Sequence, residues 1–197
     1  MKVIVITPES PRPELAKQLN AMALSSVFKI HVRFPELNEA DTRAFLNELD
    51  ETTLNKVVLH YHYQLANTLQ LGGIHYPELY RLGEQAFEKN YPGSISSSFH
   101  FPESIDWFLL DYVFCSPIFP SISKENHFPD HKLKQWQLAI EEDPDTPAIA
   151  LGGVCPDQFK VIKDAGFQGV GLLGHIWFQD DPVAELANCI QLIADLD

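Results

Sequence analysis

The sequence predicts a single small (β/α)8 TIM barrel over residues 1–197, and three observations support this. Short apolar, β-branched runs recur along the chain, separated by amphipathic stretches. Eight such units divide 197 residues into repeats of about 25, and strand–helix alternation of this kind indicates a parallel sheet. Several runs are almost continuously apolar, as in a sheet covered on both faces. An open doubly wound sheet is the alternative, and the eight repeats favour barrel closure.

The predicted strands are bounded by Gly, Pro or polar residues. They are Lys2–Thr7, Phe28–Phe34, Lys56–Tyr61, Gly72–His75, Ser94–Ser98, Leu109–Cys115, Ala148–Gly152 and Gly169–Leu173. Helical spacing of apolar residues predicts helices over Glu14–Met22, Asp41–Leu49, Glu78–Phe87, Leu133–Ile140, Phe159–Ala165 and Val183–Leu196. The third and fifth units leave room only for short helices, around Gln64–Gln70 and Pro102–Trp107.

The charge of the chain restricts its partners. A net charge of −13 argues against binding to nucleic acid or to an anionic membrane. The three cysteines are scattered without a CxxC pair, which argues against disulfides and structural zinc. The apolar run at the amino terminus is too short for a signal peptide or a membrane span, so we expect a cytoplasmic protein. Homo-oligomerisation is left open.

Glycines follow the last two predicted strands. Gly152 and Gly153 end strand seven, and Leu173 and Gly174 end strand eight. In (β/α)8 barrels these two loops often hold a phosphate group. Glycine allows positive φ and close approach to a ligand, and successive free N–H groups then bind an anion. Tight turns alone would also explain the glycines, but two such sites favour a phosphorylated ligand.

The loop after strand six carries further polar groups. Ser121, Ser123 and Lys124 place two hydroxyls and an ammonium together, which suits an oxyanion, although a solvated loop would have the same composition.

Six of the eight histidines lie in or just after predicted strands. His60 and His62 could face one side and bind a metal, but no nearby carboxylate completes the set, so no metal site is predicted. For His31 and His75 we expect a buried, hydrogen-bonded role. His100 follows Ser98 at the mouth of strand five, where an imidazole suits proton transfer near neutral pH.

The longest motif is Asp111-Tyr-Val-Phe-Cys-Ser-Pro-Ile-Phe-Pro-Ser-Ile-Ser-Lys124. It resembles the DYxxxGPxFPTxTK signature of the thiamine phosphate synthase superfamily, and the chain is similar to its thiazole tautomerase branch. Pro147–Val154 resembles PxxAIGGI, Gly166–Ile176 resembles GxxGVAVxSAI with Gly174 replacing a serine, and Ser98–His100 resembles SxH. The resemblance is best over residues 94–177. It implies a (β/α)8 barrel whose last two loops hold a thiazole phosphate.

Three departures separate the chain from a synthase of that superfamily. The synthase holds Mg²⁺ with two aspartates, and the matching residues here are Tyr61 and Tyr80, with His60 before Tyr61. The pyrophosphate-binding QxRxK cluster keeps only Arg33. Because Mg²⁺ needs oxygen ligands, the pyrophosphate half of the site lacks its metal ligands.

The resemblance therefore implies a thiazole tautomerase of thiamine biosynthesis, an isomerase that aromatises a carboxythiazole ethyl phosphate without cofactor or metal. His100 would move the proton. Arg33, Ser98, Ser121, Ser123, Lys124, Gly152, Gly153, Leu173 and Gly174 would bind the phosphorylated thiazole. A working thiamine phosphate synthase with Mg²⁺, a non-catalytic binding protein for a thiazole or thiamine phosphate, and another phosphate-binding barrel enzyme are the alternatives.

Overall fold

The structure is a computed structural model that describes residues 1–78, 91–104, 110–119 and 131–196. Eight parallel strands, each paired with the next and β8 with β1, close into a barrel. This confirms the predicted fold and excludes the open sheet. The strands are β1 Lys2–Ile6, β2 Lys29–Val32, β3 Val57–Leu59, β4 Gly73–Tyr76, β5 Ser94–Phe99, β6 Tyr112–Cys115, β7 Ala148–Ala150 and β8 Gly169–Leu172.

The described helices lie in the connections between the strands and after β8. They are α1 Leu15–Ala23, α2 Glu39–Leu46, α3 Glu51–Leu54, α4 Tyr63–Thr68, α5 His131–Glu142, α6 Phe159–Asp164, α7 Gly174–Trp177 and α8 Pro182–Ala194. Two 3-10 turns cover Pro102–Ser104 and Pro156–Gln158. No helix among the described residues is long and apolar enough to cross a membrane.

Several boundaries differ from the predicted ones for local reasons. Helix α2 begins earlier because the Asn38 side chain accepts a hydrogen bond from the Asp41 N–H and caps the helix. Strand β6 begins at Tyr112 because the Asp111 carboxylate accepts the Ile95 N–H at 2.7 Å. Helices α3 and α7 were not predicted, since four residues are too few to show helical periodicity. Beyond Glu78, the predicted helix Glu78–Phe87 lies outside the described residues.

Alternate side chains of the strands belong to two apolar layers. In β1, Val3 and Val5 pack between the sheet and the helices, whereas Ile4 and Ile6 fill the barrel interior. Tyr112, Phe114 and Ile149 belong to the same interior cluster. This alternation explains why strands that read as continuous apolar runs are buried on both faces.

Candidate active site

A cavity of about 700 Å³ opens at the carboxyl ends of the strands. This is the end at which (β/α)8 barrels carry their active sites. Side chains and backbone that follow β2, β3, β4, β5, β6, β7 and β8 line it. Among the predicted site residues that the structure describes, all line this cavity: Arg33, Ser98, His100, Gly152, Gly153, Leu173 and Gly174. Ser121, Ser123 and Lys124 lie outside the described residues, as does Tyr80.

The glycine rim, formed by Gly152, Gly153, Leu173 and Gly174, borders one side of the cavity. Gly152 and Gly153 have φ values of +90° and +66°, which L residues with side chains rarely adopt. A Cβ on Gly152 would approach the Pro117 Cα to 2.9 Å, so glycine is also required there for space.

The amide groups of the glycine rim are available to a ligand. Among the described residues, the N–H groups of Gly153, Leu173 and Gly174 donate no hydrogen bond. Three such groups in two neighbouring loops can bind an anion without any cationic side chain. The Phe178 ring, 83% exposed, lies beside them and gives the cavity an apolar edge.

His100 stands at the opposite side of the cavity mouth. Its Nδ1–H donates to the Ser116 carbonyl at 2.9 Å, and this hydrogen bond orients the ring. That Nε2 lies 3.7 Å from a Glu78 carboxylate oxygen, and the His100 side chain is 47% exposed. An oriented imidazole beside a carboxylate can accept and return a proton.

Arg33 lines the cavity, yet its guanidinium already has a partner. Its Nη1 lies 2.5 Å from the Glu9 carboxylate, and both side chains are partly exposed. Among the described residues that line the cavity, Arg33 carries the one permanent positive charge. Its contribution to anion binding is therefore reduced by Glu9.

The histidine cluster, formed by His31, His60 and His75, occupies the barrel interior beside β2, β3 and β4. All three side chains are buried, and His60 and His75 also line the cavity. His31 Nδ1 and His60 Nε2 are 2.9 Å apart, and the His60 and His75 rings stack with their centroids 4.2 Å apart. The buried roles predicted for His31 and His75 are thus confirmed. His62 is not part of the cluster, because its Nε2–H donates to the Leu37 carbonyl.

Burial makes these histidines neutral at physiological pH. Desolvation, followed by the charge of Arg33, lowers the pKa of His75 to about 3. Desolvation together with neighbouring groups also lowers the pKa of His31 and of His60 well below the ordinary value. The part of the cavity lining that His60 and His75 form is therefore polar but uncharged.

The described residues do not suit Mg²⁺. Two clusters among them have ligand atoms close enough to share a metal ion, the histidine cluster and the group His175, Glu185 and Cys189. The first offers only nitrogen, and the second offers one carboxylate, whereas Mg²⁺ prefers six oxygen ligands. Tyr61 lines the cavity as a phenol where the sequence motif of a synthase has an aspartate. That no metal is needed stays a prediction.

Sequence reasoning missed two features of this site. His175 lines the cavity, and its Nε2–H donates to the Glu185 carboxylate at 2.7 Å, a pair formed across ten residues of chain. Burial would raise the pKa of Glu185, but hydrogen bonds from His175 and Cys189 outweigh burial and lower it. Glu78, beside His100, was also missed. Helix α7, which carries His175, was itself not predicted, so nothing in the sequence indicated its pairing with Glu185.

The sequence model of the thiamine monophosphate synthase family matches residues 3–176, which is most of the chain. The chain belongs to the thiamine monophosphate synthase family. The predicted resemblance is therefore confirmed, and the match extends beyond residues 94–177 into the amino-terminal half.

Individual relatives agree with the family. The chain is similar to a thiamine-phosphate synthase of Limosilactobacillus reuteri, with 25% identity over 130 residues that cover 62% of this chain and 59% of the relative. Across eight curated relatives, the matched part spans between 31% and 59% of their length. The chain is also similar to a crystal structure of a thiamine phosphate pyrophosphorylase from Bacteroides thetaiotaomicron, with 27% identity and a TM-score of 0.79. The superposition covers 100% of this chain and 99% of that one. One from Pyrococcus furiosus shares the fold at 15% identity and a TM-score of 0.76, covering 99% and 96% of the two chains.

Proposed function

We propose that the protein isomerises a carboxythiazole ethyl phosphate by proton transfer, as a thiazole tautomerase does, with His100 as the acid–base residue. The observation that carries the proposal is the contrast between the two sides of the cavity. The glycine rim offers free N–H groups for one phosphate, whereas the histidine cluster offers neutral imidazoles where a pyrophosphate with Mg²⁺ would need cations and carboxylates.

The arrangement of the rim and His100 supports a reaction in which one residue transfers the proton. With the phosphate on Gly153, Leu173 and Gly174, the thiazole ring would lie across the cavity towards Ser98 and His100. His100 Nε2 would remove a proton from the ring carbon that bears the carboxylate and return one to the exocyclic carbon. Its Nδ1–H bond to Ser116 keeps the ring oriented through both steps. Lys124, Ser121 and Ser123 are proposed to add contacts to the phosphate.

A thiamine phosphate synthase is the second candidate, and the names of the relatives favour it. The structure from Bacteroides thetaiotaomicron, similar over the whole chain, is named a thiamine phosphate pyrophosphorylase. On this alternative the chain would join a pyrimidine to the thiazole phosphate with release of pyrophosphate and with Mg²⁺ as cofactor. The described donor set does not suit that ion.

One pair of assays separates the candidates. The purified chain is incubated with the carboxythiazole phosphate in a chelator, and the ultraviolet spectrum and proton NMR spectrum are followed for aromatisation. A parallel sample receives the two synthase substrates with Mg²⁺, and pyrophosphate is measured. Isomerisation in the chelator supports the proposal, and Mg²⁺-dependent pyrophosphate release replaces it with the synthase. Binding with an unchanged spectrum would mean a non-catalytic binding protein.

A further inference from the structure

The histidine cluster has no role in the proposed mechanism, although two of its members line the cavity. We propose that His31, His60 and His75 form a binding site for Zn²⁺ or a similar divalent transition metal ion, held by three imidazole nitrogens with a fourth coordination position open to the cavity. The metal is assigned no step of the isomerisation, so the site and the proposed function can be tested separately.

The nitrogens of the cluster are close enough to share one ion. One nitrogen from each imidazole lies within 4.8 Å of one from each of the other two. The shortest printed separation, between His31 Nδ1 and His60 Nε2, is 2.9 Å. Two nitrogens bound to a tetrahedral zinc ion are about 3.3 Å apart, since Zn–N bonds are about 2.0–2.1 Å long. The metal-binding arrangement therefore requires a small separation of this pair and a rotation of the stacked His60 and His75 rings.

Each imidazole can supply a lone pair at neutral pH. Burial lowers the pKa of all three rings, so no proton has to leave the cluster before a metal binds. A neutral ring carries one N–H, and its other nitrogen is free to coordinate. When the ion replaces the hydrogen bond between His31 and His60, the proton of that bond moves to the other nitrogen of its own ring. Without metal, the chain keeps the hydrogen-bonded cluster described above.

The second nitrogens of His31 and His75 have oxygen partners. Histidines that bind metal usually donate their other N–H to an oxygen, which orients the ring. His31 Nε2 lies 2.7 Å from the Tyr112 hydroxyl. His75 lies between two serines, with Nδ1 2.9 Å from Ser96 Oγ and Nε2 2.9 Å from Ser98 Oγ. Either nitrogen of His75 can therefore bind the ion while the other keeps its serine.

His60 connects the site to the cavity. Its residue is only 6% exposed, yet among the described residues its Nδ1 has no hydrogen-bond partner. A nearly buried nitrogen without a partner indicates a place for a ligand. His60 and His75 line the cavity, so the fourth position of the ion faces it. Three neutral imidazoles leave the charge of the ion uncompensated in a buried place, and we therefore expect an anion as fourth ligand.

The donor set selects the class of ion. Imidazole suits Zn²⁺, Cu²⁺ and Ni²⁺, whereas Mg²⁺ prefers oxygen. Three protein ligands with one open position are the arrangement of catalytic zinc sites. The other described group, His175, Glu185 and Cys189, is less suitable. Burial and the hydrogen bond to Glu185 raise the pKa of Cys189 to about 12, and a thiol must lose its proton to bind zinc.

The first test uses the parent chain, freed of metal with a chelator, dialysed, and loaded with one equivalent of Zn²⁺. X-ray absorption at the zinc edge should show imidazole ligands with nitrogen at about 2.0–2.1 Å and no sulfur. Sulfur at about 2.3 Å would place the ion at a cysteine and would overturn the proposal. A chain that does not retain zinc through dialysis would overturn it as well.

Variants identify the ligands, with Zn²⁺ affinity measured by competition with a chromophoric chelator. His60→Gln and His75→Gln should each lower the affinity by more than about 100-fold, because loss of a mere outer partner already costs about 10–100-fold. His62→Gln is the matched control, since His62 bonds to the Leu37 carbonyl outside the cluster, and it should keep the parent affinity. Parent affinity in folded His60→Gln or His75→Gln would overturn the site.

Tyr112→Phe tests the site with all three imidazoles in place. It removes the outer partner of His31, so Zn²⁺ affinity should fall by about 10–100-fold while the ligands remain nitrogen. Unchanged affinity would contradict coordination through His31. A thermal melt in chelator shows which variants are folded, and the absorption spectrum of the parent chain decides the question if a histidine variant is not. Absence of isomerisation would refute the proposed function and leave these zinc measurements unaffected.

Discussion

The glycine rim and the histidine cluster face each other across one cavity and are built in opposite ways. The rim offers backbone N–H groups, in loops whose φ values of +90° and +66° exclude most side chains. The cluster presents side chains from three adjacent strands, held by hydrogen bonds to one another and to Tyr112, Ser96 and Ser98. The rim is suited to a fixed anion and the cluster to an uncharged, hydrogen-bonding group.

This difference has an electrostatic cause. The chain carries a net charge of −13, so an anion is bound best by local dipoles that need no counter-charge elsewhere. Inside the barrel, desolvation disfavours every charged form, and imidazoles there remain neutral. A pyrophosphate would have to overcome the acidic surface, and Arg33, the one described cation that lines the cavity, is already paired with Glu9. We therefore propose a single phosphate, at the rim.

The largest expected effect concerns His100. His100→Asn keeps a donor for the Ser116 carbonyl but cannot shuttle a proton, so turnover of the carboxythiazole phosphate should fall by about 10²–10⁴-fold with affinity nearly unchanged. Initial rates and calorimetric titration measure the two quantities. His62→Asn is the matched control, because His62 also donates to a backbone carbonyl but does not line the cavity. If His100→Asn turns over the substrate at the rate of the parent protein, another group of the site carries out the proton transfer.

A comparable effect is expected on the free energy of unfolding at acidic pH. Because burial lowers the pKa of His31, His60 and His75, the unfolded chain binds more protons than the folded chain once the pH falls below about 6.5. The free energy of unfolding should then decrease by up to about 4 kcal/mol per pH unit, or about 1.4 kcal/mol for each histidine. For His75 this loss continues towards its folded pKa of about 3.

Urea unfolding at several pH values between 7 and 5 measures this slope. His75→Gln should reduce the slope by about a third, since one of the three proton-linked groups is removed. A free energy of unfolding that is constant between pH 7 and pH 5 would mean that the cluster takes up protons in the folded chain as readily as in the unfolded chain. The contrast between a neutral cluster and an anion-binding rim would then be lost.

The difference between the rim and the cluster also determines how much of the site could be predicted from the sequence. The rim was predicted because its information is local: Gly152 and Gly153, then Leu173 and Gly174, are visible as short motifs at strand ends. The eight strands were predicted for a similar reason, and each observed strand overlaps its prediction. His100 could be placed at the mouth because it follows β5 directly.

The cluster could not be predicted as a unit, because its members lie 29 and 15 residues apart along the chain. Only the register of the closed barrel brings them together: His31 pairs with Val58 of β3, and His75 pairs with Ser96 of β5. The sequence predicted that His31 and His75 are buried and hydrogen bonded but not that His31 is bonded to His60. The partner of Arg33 was missed likewise, since Glu9 follows a different strand.

A moderate effect is expected at the rim. Gly153→Val places a β-branched residue at φ +66° and pushes a side chain towards the phosphate, so affinity for a thiazole ethyl phosphate should fall by roughly 10–100-fold, equivalent to about 1–3 kcal/mol. Gly166→Val is the matched control, because Gly166 has φ +87° with room for a Cβ but lies before β8, at the other end of the barrel. Calorimetric titration and a thermal melt are recorded for both. Equal affinities in the two variants would mean that the phosphate does not bind at the rim.

The smallest expected effect is at Arg33, and it decides which side of the cavity holds the anion. Arg33 is paired with Glu9 in a partly exposed position, and such pairs contribute about 0–1 kcal/mol. Arg33→Gln should therefore weaken binding of the thiazole phosphate by less than about fivefold. Glu9→Gln, which releases the guanidinium, should strengthen it by a similar factor, and both changes should shrink in high salt. If Arg33→Gln instead costs as much affinity as Gly153→Val, the guanidinium is a principal phosphate ligand. The anion would then lie on the side of the histidine cluster, and the synthase would become the better proposal.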